Sequence, residues 1–162
     1  MRIALISDTH MPRGTRAVPP ACVEAMQVAD LIVHAGDLSA VSVLDWLSSL
    51  GPPVRAVHGN VDSPDVVSRL PETDMVVADG LTLALIHDAG PAKGRHERMR
   101  RRFPEADAAI FGHSHQPLHE NAEGFQIFNP GSPTERRRAP QRSFGIAETG
   151  TGVLEFRHVW ID

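Results

Sequence analysis

Five short apolar runs, closing at residues 7, 35, 57, 86 and 111, each give way within two residues to Asp or His. Runs such as Leu31-Ile32-Val33-His34-Ala35 lack polar alternation, the pattern of strands buried on both faces of a parallel sheet. Helical punctuation lies between several of them. Pro19-Pro20 opens a segment carrying Cys22, Val23, Ala25 and Met26; Ser39 stands as N-cap to Val43, Leu44, Leu47 and Leu50, which Gly51-Pro52 ends. A basic stretch over 92–103 reads as a third helix, its cations in solvent and Glu97 spaced to pair with Arg101. Asp79-Gly80, between apolar segments 75–78 and 81–86, predicts a hairpin, while the piece with Pro64 and Pro71 reads as irregular. The C-terminal third reads as antiparallel strands over 125–128, 144–148 and 153–159. Together these predict an α/β chain, parallel in its middle and antiparallel at its edges, for which a two-sheet sandwich with outer helices fits. Residues 1–162 are the length of one ordinary domain.

In such sheets the carboxyl ends of parallel strands form the ligand-binding edge, so the polar residues after each run would meet there. The candidates are Asp8, His10, Asp37, Asn60, His87, His113 and His115. His113 and His115, two residues apart at a strand end, leave it on the same side. Alone they read equally well as a surface pair; the other five make metal ligation the stronger reading. Cys22 is the only cysteine, which excludes an intrachain disulfide and a thiolate zinc cluster and leaves nitrogen and oxygen to hold any metal. That usage suits a reducing compartment, and the apolar start, Met1 to Ile6, is too short for a signal core, so a cytoplasmic protein is expected. A formal charge of -4 argues against a general nucleic-acid or membrane-surface binder. Seven donors exceed one tetrahedral zinc but suit two five- or six-coordinate ions sharing a carboxylate and a bridging hydroxide, about 3.5 to 4 Å apart. Asp37 is the natural bridge.

The ordered set Asp8-Thr9-His10, Gly36-Asp37, Gly59-Asn60-Val61-Asp62, His87, Gly112-His113-Ser114-His115 and Asn129-Pro130-Gly131-Ser132 resembles the calcineurin-like metallophosphoesterases. Within them it is most similar to the small single-domain phosphodiesterases of the YfcE type. The resemblance spans almost the whole chain and implies a four-layer sandwich, two mixed β-sheets face to face flanked by α-helices. It implies that Asp8, His10, Asp37 and His115 hold one divalent ion and Asp37, Asn60, His87 and His113 the other, with Asp37, Asn60 and His113 at the catalytic core. Manganese is first among the expected ions; nickel, iron, cobalt and zinc suit the same donors. The implied reaction is hydrolysis of a small phosphate ester, a diester before a monoester, by in-line attack of a metal-bridging hydroxide.

Two residues depart from the family pattern. Val61 stands where much of the superfamily has a histidine that assists the leaving group, and Asp88 follows His87 where the small family usually has glycine. Lacking that acid, the chain is expected to prefer good leaving groups such as aryl esters. Arg13, in the loop after His10, and His58, at a strand end, are the substrate-binding candidates. His34 is expected as a hydrogen-bonded core residue, Asp62 as a turn former, and His96 and His158 in solvent. The run Arg136-Arg137-Arg138 is likewise expected in water. Rival readings are a monoesterase or nuclease on the same site, or a protein-binding scaffold like a retromer coat subunit of similar fold; the complete ligand set favours the enzyme. No membrane partner is expected, and no feature sets an oligomeric state.

Overall fold

A computed structural model describes residues 1–161, in which the chain runs β1 (Arg2–Ile6), α1 (Pro20–Gln27), β2 (Leu31–His34), α2 (Val41–Ser48), β3 (Val54–Ala56), α3 (Pro64–Arg69), β4 (Thr73–Ala78), β5 (Leu81–Ile86), α4 (Arg95–Arg102), β6 (Ala108–Ile110), β7 (Leu118–Ala122), β8 (Phe125–Asn129), β9 (Arg142–Gly150) and β10 (Val153–Ile161). The strands form two mixed five-stranded sheets, ordered β10-β9-β1-β2-β3 and β4-β5-β6-β8-β7. In the first, β1, β2 and β3 are parallel and β9 and β10 run antiparallel at one side. In the second, β5, β6 and β8 are parallel between antiparallel β4 and β7.

Strand periodicity divides the apolar residues among three cores. Ile3, Leu5 and Val33 face Leu83, Leu85, Ile110 and Phe128 between the sheets. Their neighbours Ala4, Ile6 and Ile32 face outward onto Cys22 and Met26 of α1 and Val43 and Leu47 of α2. On the other outer face, Ala84, Ile86 and Ala109 meet Met99 of α4. The result is the helix, sheet, sheet, helix sandwich that the resemblance implies. Among the described residues no helix is long and apolar enough to cross a membrane.

Several expectations are corrected. The Pro64 piece is a short helix rather than irregular chain: Ser63 caps it by accepting the Val66 N–H at 3.4 Å, Pro64 stands in its first turn, and Asp65 and Arg69 complement its dipole. Ser39 does not cap α2, which begins after Ala40; its own N–H is taken by Asp62 Oδ1 at 2.5 Å. An additional strand, β7, pairs with β8, and β8 is parallel to β6 rather than part of a purely antiparallel end. Glu97 is not ion-paired with Arg101 among the described residues. Nor are the cations of α4 simply solvated: Arg98 donates to the Ala89 and Pro91 carbonyls, Arg95 to Gly90 and Arg100 to Glu123. Arg95 and Arg98 thereby fasten the loop before α4, and Arg100 fastens the turn between β7 and β8. His96 and His158 are half-buried, each donating to a backbone carbonyl, Phe125 at 2.9 Å and Asn129 at 2.8 Å.

Burial under α1 pushes the Cys22 thiol up to about 12, so thiolate is scarce at neutral pH. An aromatic disulfide reagent at pH 8 is therefore expected to leave Cys22 unlabelled in the native protein and to label it at the rate of unfolding; fast labelling without denaturant would contradict this.

Candidate metal centre

The seven candidates meet at one rim. Asp8 and His10 follow β1, Asp37 follows β2, Asn60 follows β3, His87 follows β5, and His113 and His115 follow β6. Thus the first sheet supplies four residues and the second supplies three. Five of them, Asp8, His10, Asp37, His113 and His115, have φ between 46° and 68°, in the left-handed region. For a non-glycine residue that conformation costs on the order of 1 kcal/mol, and strain of this kind concentrates at functional sites. The turns Asp8-Thr9-His10 and His113-Ser114-His115 share the same alternation, which throws both outer side chains inward while the middle one hydrogen-bonds elsewhere.

Distances within the cluster are short. His115 Nε2 lies 3.3 Å from Asp8 Oδ1 and 3.1 Å from His10 Nε2. Asp37 Oδ2 sits 3.6 Å from His10 Nε2 and 3.2 Å from His87 Nε2. Asn60 Oδ1 is 3.1 Å from His87 Nε2 and 3.0 Å from His113 Nδ1. Tautomers follow from the outer partners: His87 Nδ1 donates to the Ala35 carbonyl at 2.7 Å and His115 Nδ1 to the Glu135 carbonyl at 2.8 Å. Each therefore turns a lone-pair Nε2 toward the others when neutral. Asp8 Oδ1, fully buried, accepts no hydrogen bond. Lone pairs thus face carboxylate and amide oxygens with too few protons between them, an arrangement that cations relieve. Two compact groups of donors, Asp8 with His10 and His115, and Asp8 with Asp37 and His87, lie with all ligand atoms within 4.8 Å of one another. The donors present fit divalent metal.

Electrostatics point the same way. Burial pushes the Asp8 carboxyl up, but contacts with His10 and His115 and the charge of His87 outweigh it, and its pKa falls below the ordinary range. Asp37 is likewise held low, burial being overcome by His87 and the Val61 N–H. His87 is raised because Asp37 and Asp8 attract its proton more than burial repels it. Metal would replace that proton.

A layer of braces holds these side chains; all but Ser7 belong to the motifs quoted from the sequence, which mark their positions but not their bracing roles. Ser7 Oγ donates to Asp8 Oδ2 at 2.6 Å. Asp62, expected in a turn, accepts from the N–H groups of Gly59, Asp37 and Ser39 and so ties the loops after β2 and β3 together. Ser132 Oγ donates to the Asp8 carbonyl at 2.9 Å, and Asn129 Nδ2 to the Gly112 carbonyl at 2.8 Å. Three glycines leave room for the ligands: a Cβ at Gly36 would run into the His87 ring, one at Gly59 into the Asp37 carboxylate, and one at Gly112 into Ser7 and Asp8.

His34 is the core histidine expected. Its Nδ1 accepts the Gly36 N–H, so Nε2–H donates to Thr9 Oγ1 at 3.0 Å, and burial lowers its pKa to about 4. The unfolded chain, with a histidine near its ordinary 6.5, binds this proton more tightly, so stability is full above that pH and is lost as pH falls toward 4. Between pH 7 and 4 the wild type should lose about 3 kcal/mol more than His34→Gln in denaturant titrations, and parallel curves would contradict the assignment.

The substrate candidates separate. His58 is half-buried and lines a recess of about 280 Å³ with Asn60, Glu72, His87, Asp88 and Arg102. Arg13 is exposed in the loop after His10, and among the described residues its side chain makes no hydrogen bond or ion pair with any of the seven. Asp88 does not hydrogen-bond His87; its Oδ1 accepts the Gly90 N–H at 2.7 Å, and it lines the same recess as His58. Val61 is exposed, so the missing histidine is not replaced in place.

Comparison with known proteins agrees with this geometry. A probable metallophosphoesterase of Methanothermobacter thermautotrophicus is 36% identical over 139 residues, covering 85% of this chain and 80% of that protein. A phosphodiesterase of Methanocaldococcus jannaschii is 23% identical over 147 residues, covering 81% of this chain and 83% of that one. In fold, wild-type Vps29 of Entamoeba histolytica, solved in complex with zinc, superposes with a TM-score of 0.78 over 99% of both chains at 21% identity. The calcineurin-like phosphoesterase superfamily domain matches residues 1–152, and the chain belongs to that superfamily.

Proposed function

We propose that this protein is a dinuclear metal-dependent phosphoesterase that prefers phosphodiesters. The observation that carries the reading is Asp37 Oδ2, placed between His10 Nε2 and His87 Nε2 with a donor group on either side. On this reading Asp8, His10, Asp37 and His115 hold one cation and Asp37, Asn60, His87 and His113 the other. When bound, two divalent cations, manganese first among the candidates, offset charge on the phosphate and lower the pKa of water. The chain's own residues do the rest. Exposed His113, fixed through Asn60, marks where the ester approaches, and the recess beside Asn60 and His87 takes one ester arm. Val61 offers no proton to the departing oxygen, so that oxygen must leave as a stable anion or take its proton from water. Preference for diesters is supported by the name of the Methanocaldococcus relative.

The test is a panel of esters after chelation and reloading with each divalent metal. Chelation should abolish turnover, and bis(p-nitrophenyl) phosphate should outpace p-nitrophenyl phosphate. Aryl diesters should outpace alkyl diesters by about 10²-fold or more, the size of a missing general acid. Undiminished hydrolysis after chelation would refute the metal reading, and equal aryl and alkyl rates would refute the account of Val61. Inactivity on every ester would favour the scaffold.

A further inference from the structure

A second recess, of about 490 Å³, borders the His113-Ser114-His115 turn and is lined by Ser114, Gln116, Arg137 and Arg138. It shares no lining residue with the recess beside Asn60 and His87. The two differ in charge. The first carries Glu72 and Asp88 against Arg102, whose guanidinium is already 3.2 Å from Glu72. The second carries two guanidiniums and no carboxylate.

Those guanidiniums keep donors to spare. Arg137 Nε stands 3.8 Å from Oε2 of Glu135, whose other oxygen takes Arg16 at 2.8 Å, and among the described residues Arg137 Nη2 makes no hydrogen bond or ion pair. Exposed Arg138 makes no side-chain hydrogen bond or ion pair among the described residues. The loop bearing both is nonetheless fixed in place. Ser132 and Thr134 donate to the carbonyls of Asp8 and Thr9, the Glu135 carbonyl holds His115, and Arg137 reaches the His113 carbonyl at 3.5 Å. Ser114 Oγ accepts from Asn129 Nδ2 and the Gln116 N–H, which leaves its own O–H to donate. Donors and positive charge therefore stand beside a metal-ligand turn in a chain of net charge -4. Guanidinium matches phosphate in geometry and charge.

We propose that this recess binds a second phosphate of the substrate, so that the preferred esters are small phosphodiesters carrying a further phosphate on one arm. The inference rests on the phosphodiesterase reading and names its substrate class. An anionic arm placed in the first recess would meet Glu72 and Asp88, so the charge difference also sets which way round the ester lies. Arg136, Arg137 and Arg138 are exposed, as expected, and the proposal gives the last two a ligand in that solvent-facing position.

The metal-loaded protein is given thymidylyl-thymidine with and without a 5′-terminal phosphate. Wild type should favour the phosphorylated dinucleotide in kcat/KM by about 10- to 100-fold, as a charge-assisted contact warrants. Arg138→Ala should bring that ratio close to one, and Arg138→Lys should restore part of it. Calorimetry supplies a readout free of turnover: thymidine 3′,5′-bisphosphate should bind about tenfold more tightly than thymidine 5′-monophosphate, and Arg138→Ala should erase the difference. Hydrolysis of both dinucleotides at one rate, or a preference that survives in both Arg137→Ala and Arg138→Ala, overturns the recess and leaves the phosphodiesterase standing. Failure to hydrolyse any ester while selective bisphosphate binding persists overturns the reaction and leaves the recess standing.

Discussion

Asp37→Ala is expected to lower ester hydrolysis by about 10³-fold or more and to reduce bound metal from two equivalents to at most one. Asp37 Oδ2 lies within 3.6 Å of both His10 Nε2 and His87 Nε2, and Oδ1 accepts the Val61 N–H at 3.0 Å, so the carboxylate is aimed from both ends. Without it, two cations would repel each other with no anion between them from this residue. The metal-free protein should register the loss as well. Asp37 is buried at φ 60°, a conformation that asparagine tolerates well, but His87 and the Val61 N–H hold its charge more strongly than burial opposes it. Asp37→Asn should therefore melt, without metal and at neutral pH, below the wild-type temperature while losing activity. Metal analysis, kinetics and thermal denaturation on both variants decide the matter; more than a tenth of wild-type activity in either would remove Asp37 from its assigned place.

Gly59→Ala should be nearly as damaging, although glycine brings no functional group. The added methyl would overlap Asp37 Oδ1 and stand 2.7 Å from its Cγ and 2.5 Å from its backbone nitrogen. Backbone and buried carboxylate cannot both yield, so a loss of activity of about 10²-fold and a destabilisation of about 1 to 3 kcal/mol are expected. Gly150→Ala is the matched control: its φ is ordinary and no atom lies within 4 Å of the new methyl, so stability should change by less than about 0.5 kcal/mol. Equal behaviour of the two variants would show that crowding at Asp37 is not the reason for glycine.

The contrast between Asp37 and Gly59 marks what a sequence exposes. Buried parallel strands announce themselves through apolar runs such as Ile3 to Ile6, and the residue type following each run carries its chemistry in its name, so the meeting of seven polar side chains at one rim was legible before the fold. Gly59 was visible only as part of the Gly59-Asn60-Val61-Asp62 motif and its role was not, because that role lies in a distance to a residue 22 positions away. Ser132 acts on Asp8 across 124 residues, and no local pattern records that contact. Helix α3, at 6 residues, is too short to show a period, and its Ser63-Pro64-Asp65 start was the available signal. Strand β7 reads Leu-His-Glu-Asn-Ala because a sheet edge in water has no apolar stripe to keep. The half-buried His96 and His158 were misplaced for a similar reason: an imidazole satisfied by one carbonyl leaves no trace in composition.

The division of the rim residues between the two sheets has a mechanical consequence. Cations gripped by Asp37 on one layer and His87 on the other would act as a clasp across the seam, so the layers could not shear apart without emptying it. Ligand held by the native state alone stabilises by mass action, about 2.7 kcal/mol at a hundred times its dissociation constant. Scarcity of metal would then slacken the sandwich itself.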